Sequence, residues 1–384
     1  MNILILTSNF SANKKDVVQH PYQFDLIDML ERNGHRVTIL THAKEDTHEK
    51  IREDLDIIWF PWRRLPGRLI DIKFFTFKNI LSLLSLFYNG SKHARKVIRQ
   101  KNINLVICLS ILPSGVYAYV NAAFASVKVP YVLWSLGSDI NKYRNNYFVR
   151  NLLKRMIRRA GYVFADGFDL CRTIHGMTGI NCVFLPTFRG INVHSALRTD
   201  RADDCVSFLY VGRHSKVKGI DLLVDAIAQL EKANHQLKYR VTIVGEGELT
   251  PQLMSLVNKE NLSHKVTFTG KVPDDDLFSL YEQADCVVIP SRSESIPVVF
   301  SEALQFEKHL IVTDVGDMGD LGKKYGVARV VEKENAEAIA GAMREFMEKP
   351  FRIDPKKREE LLSLLMLEKS SQKILSVFSM LGAK

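Results

Sequence analysis

Apolar and polar positions along the chain alternate between two periodicities. Short apolar runs recur through the first half as NILILT (2–7), RVTILT (36–41), LDIIWF (55–60), INLVICL (103–109), VPYVLWS (129–135) and GYVFAD (161–166). The second half repeats the pattern with CVSFLYVG (205–212), YRVTIVG (239–245), KVTFTG (265–270), CVVIP (286–290) and HLIVTD (309–314). Runs this short and this apolar predict strands of buried, parallel sheets. Longer segments with helical spacing lie between them. HPYQFDLIDMLERNG ends at Gly34, IDLLVDAIAQLEKA follows Gly219, and DDDLFSLYEQA opens on acids, as a helix N-terminus favours. Strand and helix in alternation predict βα units, hence an α/β chain with two parallel sheets in series. The polar stretch LPTFRGINVHSALRTDRADD, with Pro186 and Gly190, separates the two series and sets the predicted division at 192/193.

The length of 384 residues agrees with two domains rather than one core. Cys108, Cys171, Cys182, Cys205 and Cys286 are odd in number and never paired as CxxC, which argues against a disulfide framework or a zinc site and for a reducing, cytoplasmic setting. The opening apolar run is short and followed by polar residues, so it predicts a buried strand rather than a signal peptide. The stretch LIDIKFFTFKNILSLLSLFY (69–88) holds Asp71, Lys73 and Lys78 and does not predict a membrane span.

Charge changes the picture more than composition does. Residues 1–195 carry 27 Lys/Arg against 14 Asp/Glu, a net +13, while the remainder nets −3. Between 60 and 160, 18 bases face only Asp71 and Asp139, which points to an anionic partner for the first half. Phe74, Phe77, Leu81, Leu84 and Tyr88 repeat on one helical face and Lys78, Ser82, Ser85 and Asn89 on another. Arg150, Lys154 and Arg158 recur at four-residue spacing, beside Arg155 and Arg159. Together they predict peripheral docking on an anionic membrane surface. No nucleic-acid motif accompanies the bases, so a nucleic-acid partner is not expected.

In open parallel sheets ligands bind beyond the carboxyl ends of the strands, so the loops there are the place to look. After CVSFLYVG, Gly212 permits a tight turn, Arg213 and Lys218 supply two cations, and a helix begins after Gly219. VTIVGEGEL sets Gly245 and Gly247 in a similar turn. Asp274 and Asp276 form a DxD, but acids after Pro273 at the start of an amphipathic run fit helix capping better than metal binding. In PSRSESIPVVFSEAL, Glu294 falls on the loop after a strand, near the amides of Ile296, Val298 and Val299, and Glu302 falls inside the next helix among apolar neighbours. A buried carboxylate is costly unless it is paired or holds something, so both glutamates are candidates for binding.

The order VGR…KG, VGEGEL, FTGKVPDDDLFSLYEQAD, PSRSESIPVVFSEAL, TDVGDMGDL resembles, over residues 205–345, the donor domain of the retaining nucleotide-sugar glycosyltransferases with the GT-B fold, the glycosyl transferases group 1 family. The resemblance implies two Rossmann-like domains facing across a cleft. Residues 1–192 would bind the acceptor, 193–360 the nucleotide-sugar donor, and a final helix in 361–384 would cross back to the first domain. It implies that Arg213 and Lys218 hold the diphosphate beside Gly212, that Glu302 takes the ribose hydroxyls, that Glu294 contacts the transferred sugar, and that the amides of Ile296, Val298 and Val299 line the sugar-phosphate end. WSLGSDIN is similar to the family's cleft motif, keeping Asp139 as a catalytic candidate but placing Leu136 where histidine is common. Asp317 likewise stands where a second glycine is usual.

The expected activity is transfer of a sugar from a nucleotide diphosphate to an acceptor hydroxyl, without a metal or other cofactor. The acceptor is expected to be a lipid-linked glycan of cell-surface polysaccharide or glycolipid synthesis, met at the inner face of the membrane. An epimerase or hydrolase of the same architecture, acting on the donor alone, and an inert family member serving as a scaffold are the alternatives.

Overall fold

All eleven apolar runs form strands in the computed structural model, which describes residues 1–8, 10, 21–43, 54–64, 76–187, 189–191, 205–233 and 236–382. Residue 9 and residues 11–20 after the first strand, Phe74, and most of the polar stretch up to residue 204 lie outside the described residues. The chain divides into two units, Met1–Pro186 with Ser370–Lys384, and Thr187–Lys369.

The first unit runs β1 (Asn2–Thr7), α1 (Pro21–Arg32), β2 (Arg36–His42), β3 (Asp56–Phe60), α2 (Phe77–Gln100), β4 (Leu105–Leu109) and α3 (Ser114–Phe124). It continues with β5 (Tyr131–Ser135), α4 (Ser138–Asn141), α5 (Tyr147–Arg159), β6 (Tyr162–Ala165), α6 (Phe168–Thr178) and a two-residue β7 (Val183–Phe184). Its strands lie in the order β3-β2-β1-β4-β5-β6-β7, all parallel. β1, β4 and β5 bury almost every side chain, because helices cover both faces of a parallel sheet.

The second unit runs β8 (Val206–Val211), α7 (Ile220–Ala233), β9 (Tyr239–Val244), α8 (Thr250–Lys259), β10 (Val266–Gly270), α9 (Asp274–Gln283) and β11 (Cys286–Ile289). There follow α10 (Val298–Gln305), β12 (His309–Thr313), α11 (Gly316–Tyr325), β13 (Arg329–Val331), α12 (Ala336–Glu348) and α13 (Pro355–Leu365), after which α14 (Leu367–Gly382) belongs to the first unit from Ser370 on. The order β10-β9-β8-β11-β12-β13 reverses direction between β8 and β11, which is the switch point where open sheets leave a crevice.

Both predicted boundaries shift. The second unit begins at Thr187 rather than 193, because Ile191 N donates to Gln305 Oε1 at 3.0 Å and Gln305 Nε2 donates to Arg189 O at 3.0 Å, tying this segment to α10. The return to the first unit begins at Ser370 rather than 361. α13 stays with the second unit, where Leu361 and Leu365 are buried and Arg358 pairs with Glu307 at 2.7 Å. From there α14 buries Ile374, Val377 and Phe378 in the first unit, and Lys373 donates to Phe184 O at 3.2 Å.

The surface stripes expected on α2 and α5 also change. Ser82 is fully buried and donates to Arg63 O, so the polar stripe through Lys78, Ser82, Ser85 and Asn89 belongs partly to the packed face. Leu86, Gly90, Ala94 and Val97 carry that face on toward the sheet, while Phe77, Ile80, Leu84 and Tyr88 stay exposed. On α5, Arg158 Nε donates to Thr178 O at 3.1 Å and Arg159 to Ala122 O at 3.0 Å, so two of the five expected surface bases brace neighbouring helices.

Candidate functional site

The loops after β8, β11 and β12 converge because two glycines let backbones touch. Gly219 has φ +65°, and a Cβ there would stand 1.9 Å from the carbonyl oxygen of Pro290. Gly316 has φ +50°, and its Cβ would stand 2.1 Å from Glu294 O. Any other side chain would push these loops apart. The first contact delivers Lys218 to Glu294, whose Oε1 accepts from Lys218 Nζ and, at 3.4 Å, from Ser291 Oγ. The second seats the Glu294 segment on the first turn of α11, where Met318 N donates to Ser295 O at 3.0 Å.

Arg292, a residue not singled out from the sequence, fastens the same loop from the other side. It grips Asp221 at the start of α7 with two hydrogen bonds, of 2.6 and 3.0 Å, and reaches Lys216 O and Glu334 at 2.7 Å each. Its hydrogen bond to Asp221 raises the guanidinium above its ordinary value. Burial pushes the Asp221 carboxyl up, but the bonds from Arg292 and Lys216 outweigh that and hold it below its ordinary value. The glutamate loop is thus held by charge-assisted bonds as well as by backbone contact.

Gly212 and Arg213 lie on the same loop as Lys218, with Tyr210 donating to Arg213 O at 2.9 Å. Pro297 is the N-cap of α10, so the helix starts at Val298, and Val298 and Val299 present the first two amides of its N-terminus next to Ile296. That end carries partial positive charge. The structure therefore brings together Gly212, Arg213, Lys218, Glu294, Ile296, Val298 and Val299 at the carboxyl edge of the sheet, on either side of its switch point.

Glu302 sits deeper. It is the fifth residue of α10, with its side chain 4% exposed. Arg189 Nη1 donates to its Oε1 at 2.8 Å and the Tyr281 hydroxyl to its Oε2 at 2.7 Å. Arg189 Nη2 also meets Asp274 Oδ2 at 2.6 Å. Asp274, expected to serve helix capping, opens α9 as its first residue and also takes this ion pair. Among the described residues no group of three metal-ligating side chains gathers. Arg189 carried no signal in the sequence, since its partners lie 85 and 113 positions further on.

Asp139 belongs to the first unit. Its carboxylate turns inward rather than standing free on the loop: Oδ2 accepts from Ile111 N at 2.6 Å and Oδ1 from Ser135 Oγ at 2.7 Å. Burial raises this carboxyl, and the hydrogen bonds only partly offset it. Through these bonds Asp139 ties the loop after β5 to the loop after β4.

Residues 199–362 match the family model described as Glycosyl transferases group 1. The chain is 28% identical over 262 residues to TuaC of Bacillus subtilis, a glycosyltransferase named for teichuronic acid biosynthesis, covering 65% of this chain and 63% of that one. It is 29% identical over 178 residues to an N-acetyl-D-galactosaminyltransferase of Campylobacter jejuni named for an acceptor glycan on PP-undecaprenol, covering 44% of this chain and 46% of that one. The chain thus spans less than two thirds of either relative. Among solved structures it resembles Anabaena HepE in complex with UDP and glucose, with a TM-score of 0.73, 16% identity and 99% of each chain covered. At that identity the likeness speaks to the fold, which is the GT-B fold.

Proposed function

We propose, from the match of residues 199–362 to the Glycosyl transferases group 1 family, that the chain is a retaining, hexosyltransferase-type glycosyltransferase that moves a sugar from a nucleotide diphosphate to an acceptor hydroxyl. The observation that carries the reading is the Lys218–Glu294 pair at the switch point of the second sheet. Without a donor, Lys218 and Glu294 neutralise each other. An incoming diphosphate takes Lys218 and Arg213, and Glu294 is released to accept hydrogen bonds from the sugar. The amides of Ile296, Val298 and Val299 add positive potential where the sugar-phosphate bond breaks and the diphosphate leaves. Glu302 takes the ribose hydroxyls. Asp139 acts by holding the β4 loop rather than by touching the substrate.

The acceptor class is supported by the first unit's surface. Phe77, Leu84 and Tyr88 on α2 and Tyr147 and Phe148 on α5 are exposed, and Lys92, Lys96 and Arg155 are exposed on the same helices. α2 leads into β4 and α5 into β6, so both helices start at the carboxyl edge of the sheet. Aromatic rings above a basic surface suit an anionic leaflet, with each base adding about 1 kcal/mol. Among the described residues no helix is long and apolar enough to cross a membrane, so docking would be peripheral. A polyprenyl-diphosphate-linked glycan is the acceptor this surface would meet, as in the Campylobacter relative's name.

The test pairs a panel of nucleotide-diphosphate sugars with polyprenyl-diphosphate-linked oligosaccharides and measures nucleoside diphosphate release, with the product anomer read by NMR. Release that needs acceptor and keeps the donor's anomeric configuration supports the reading; release or epimerisation with donor alone would favour the hydrolase or epimerase. Docking is tested by co-sedimentation. Binding to anionic but not neutral vesicles is expected, weakened by salt and by neutral replacements of Lys92, Lys96 and Arg155.

A further inference from the structure

Apart from the Lys218–Glu294 pair, the second unit holds a polar cluster whose two central charges are buried. Arg189 and Glu302 have side chains 6% and 4% exposed. The guanidinium is divided between Glu302 and Asp274 and lies 5.0 Å from the centre of the Phe278 ring. Burial lowers its proton affinity, but the two carboxylates outweigh that and leave it raised. Tyr281 is fully buried, stacked on Phe306 at 5.0 Å, and its hydroxyl is spent on Glu302. Burial, and then the adjacent Glu302, push that phenol well above its usual range, so it remains a donor.

Stability is a poor explanation for this arrangement, since buried ion pairs can be replaced by well-packed apolar residues at little cost. Geometry offers a better one. Arg189 takes one oxygen of Glu302 and Tyr281 the other, and among the described residues neither oxygen accepts a second hydrogen bond. A carboxylate oxygen can accept two, so a carboxylate fixed in this way matches the two adjacent hydroxyls of a ribose.

We propose that Arg189 and Tyr281 are positioning residues for the donor nucleotide, holding both oxygens of Glu302 in the orientation that accepts the ribose 2′- and 3′-hydroxyls. The inference rests on the assignment of Glu302 to the ribose. Arg189 does not bind phosphate in this account, because its charge is already shared by two carboxylates.

The test is calorimetric titration of the full chain with UDP, GDP, ADP and CDP and with their 2′-deoxy forms. Wild type is expected to bind one ribonucleoside diphosphate and to prefer it over its 2′-deoxy form. Tyr281→Phe, which keeps the ring, is expected to weaken the ribo form about tenfold and the deoxy form much less, so that the preference shrinks. Arg189→Met is expected to lose more, and Arg189→Lys to regain part of it. In turnover with the matching nucleotide sugar, KM for the donor should rise more than kcat falls. A purely structural role would instead lower binding of ribo and deoxy forms alike. If Tyr281→Phe and Arg189→Lys both keep the wild-type preference, the inference is overturned while the donor reading stands. If wild type binds none of the eight nucleotides, the donor reading falls and takes this inference with it.

Discussion

Replacing Gly219 by alanine separates the cost of a left-handed backbone from the cost of forcing two loops apart. Gly219 (φ +65°) and Gly326 (φ +63°) share one conformation, but a Cβ at Gly219 would stand 1.9 Å from Pro290 O, whereas at Gly326 nothing lies within 4 Å. Gly326→Ala should therefore cost only the left-handed penalty, about 1 kcal/mol. Gly219→Ala adds an overlap with backbone that cannot rotate away, and such overpacking costs about 1 to 3 kcal/mol more. The expected total of about 3 kcal/mol is a large share of the roughly 5 to 15 kcal/mol that stabilises a domain. Urea unfolding followed by far-UV circular dichroism reads the difference. Trp59, Trp62 and Trp134 all lie in the first unit, so their emission follows that unit separately. Gly219→Ala should also bind donor nucleotide more weakly than Gly326→Ala, because separating the loops parts Lys218 from Glu294. Equal destabilisation by the two alanines would refute the claim that this close approach builds the site.

Lys218→Ala should weaken a nucleoside diphosphate about tenfold in calorimetry and leave the bare nucleoside unchanged; equal losses would remove Lys218 from the phosphate site. Glu294→Gln should lower kcat more than donor affinity, and a pure affinity loss would contradict its place at the sugar. Arg292→Ala should cost about 1 to 3 kcal/mol at neutral pH in urea unfolding. Because Asp221 titrates below its ordinary value in the folded chain, its contribution is complete above its unfolded value near 3.9 and is lost as pH falls through the folded value. The gap between wild type and Arg292→Ala should therefore close below about pH 4, and a constant gap would place the effect elsewhere. Sugar transfer should persist in excess chelator; its loss would return Asp274 and Asp276 to consideration as metal ligands.

The strands were legible because a strand covered on both faces has few polar positions, as Ile107 to Leu109 in β4 and Val287 to Ile289 in β11 illustrate. β7 and β13 escaped notice because two or three residues at a sheet edge carry no periodicity. Glu294, Glu302, Arg213 and Lys218 could be named as candidates because the loops that carry them are local in sequence and repeat the strand–loop–helix order. Arg189 and Arg292 could not, since each acts on carboxylates far along the chain: Arg189 reaches Glu302 113 positions away and Arg292 reaches Asp221 71 positions away. Asp139 was visible as a motif residue, but its inward turn depends on Ile111 N in another loop, a partner no local pattern reveals. Ser82 misled for a related reason, because a small hydroxyl in a helix fits a buried face as readily as a wet one once a carbonyl such as Arg63 O accepts its proton.

The central claim, that the second unit binds a nucleotide-diphosphate sugar through Lys218, Glu294 and Glu302, is tested most directly by titrating the purified chain with a panel of nucleotide-diphosphate sugars. Saturable one-to-one binding of at least one of them is expected. Glu302→Gln should lose about tenfold or more of that affinity, because a charged hydrogen-bond acceptor is removed. Absence of binding by every member of the panel, or unchanged affinity in Glu302→Gln, would contradict it.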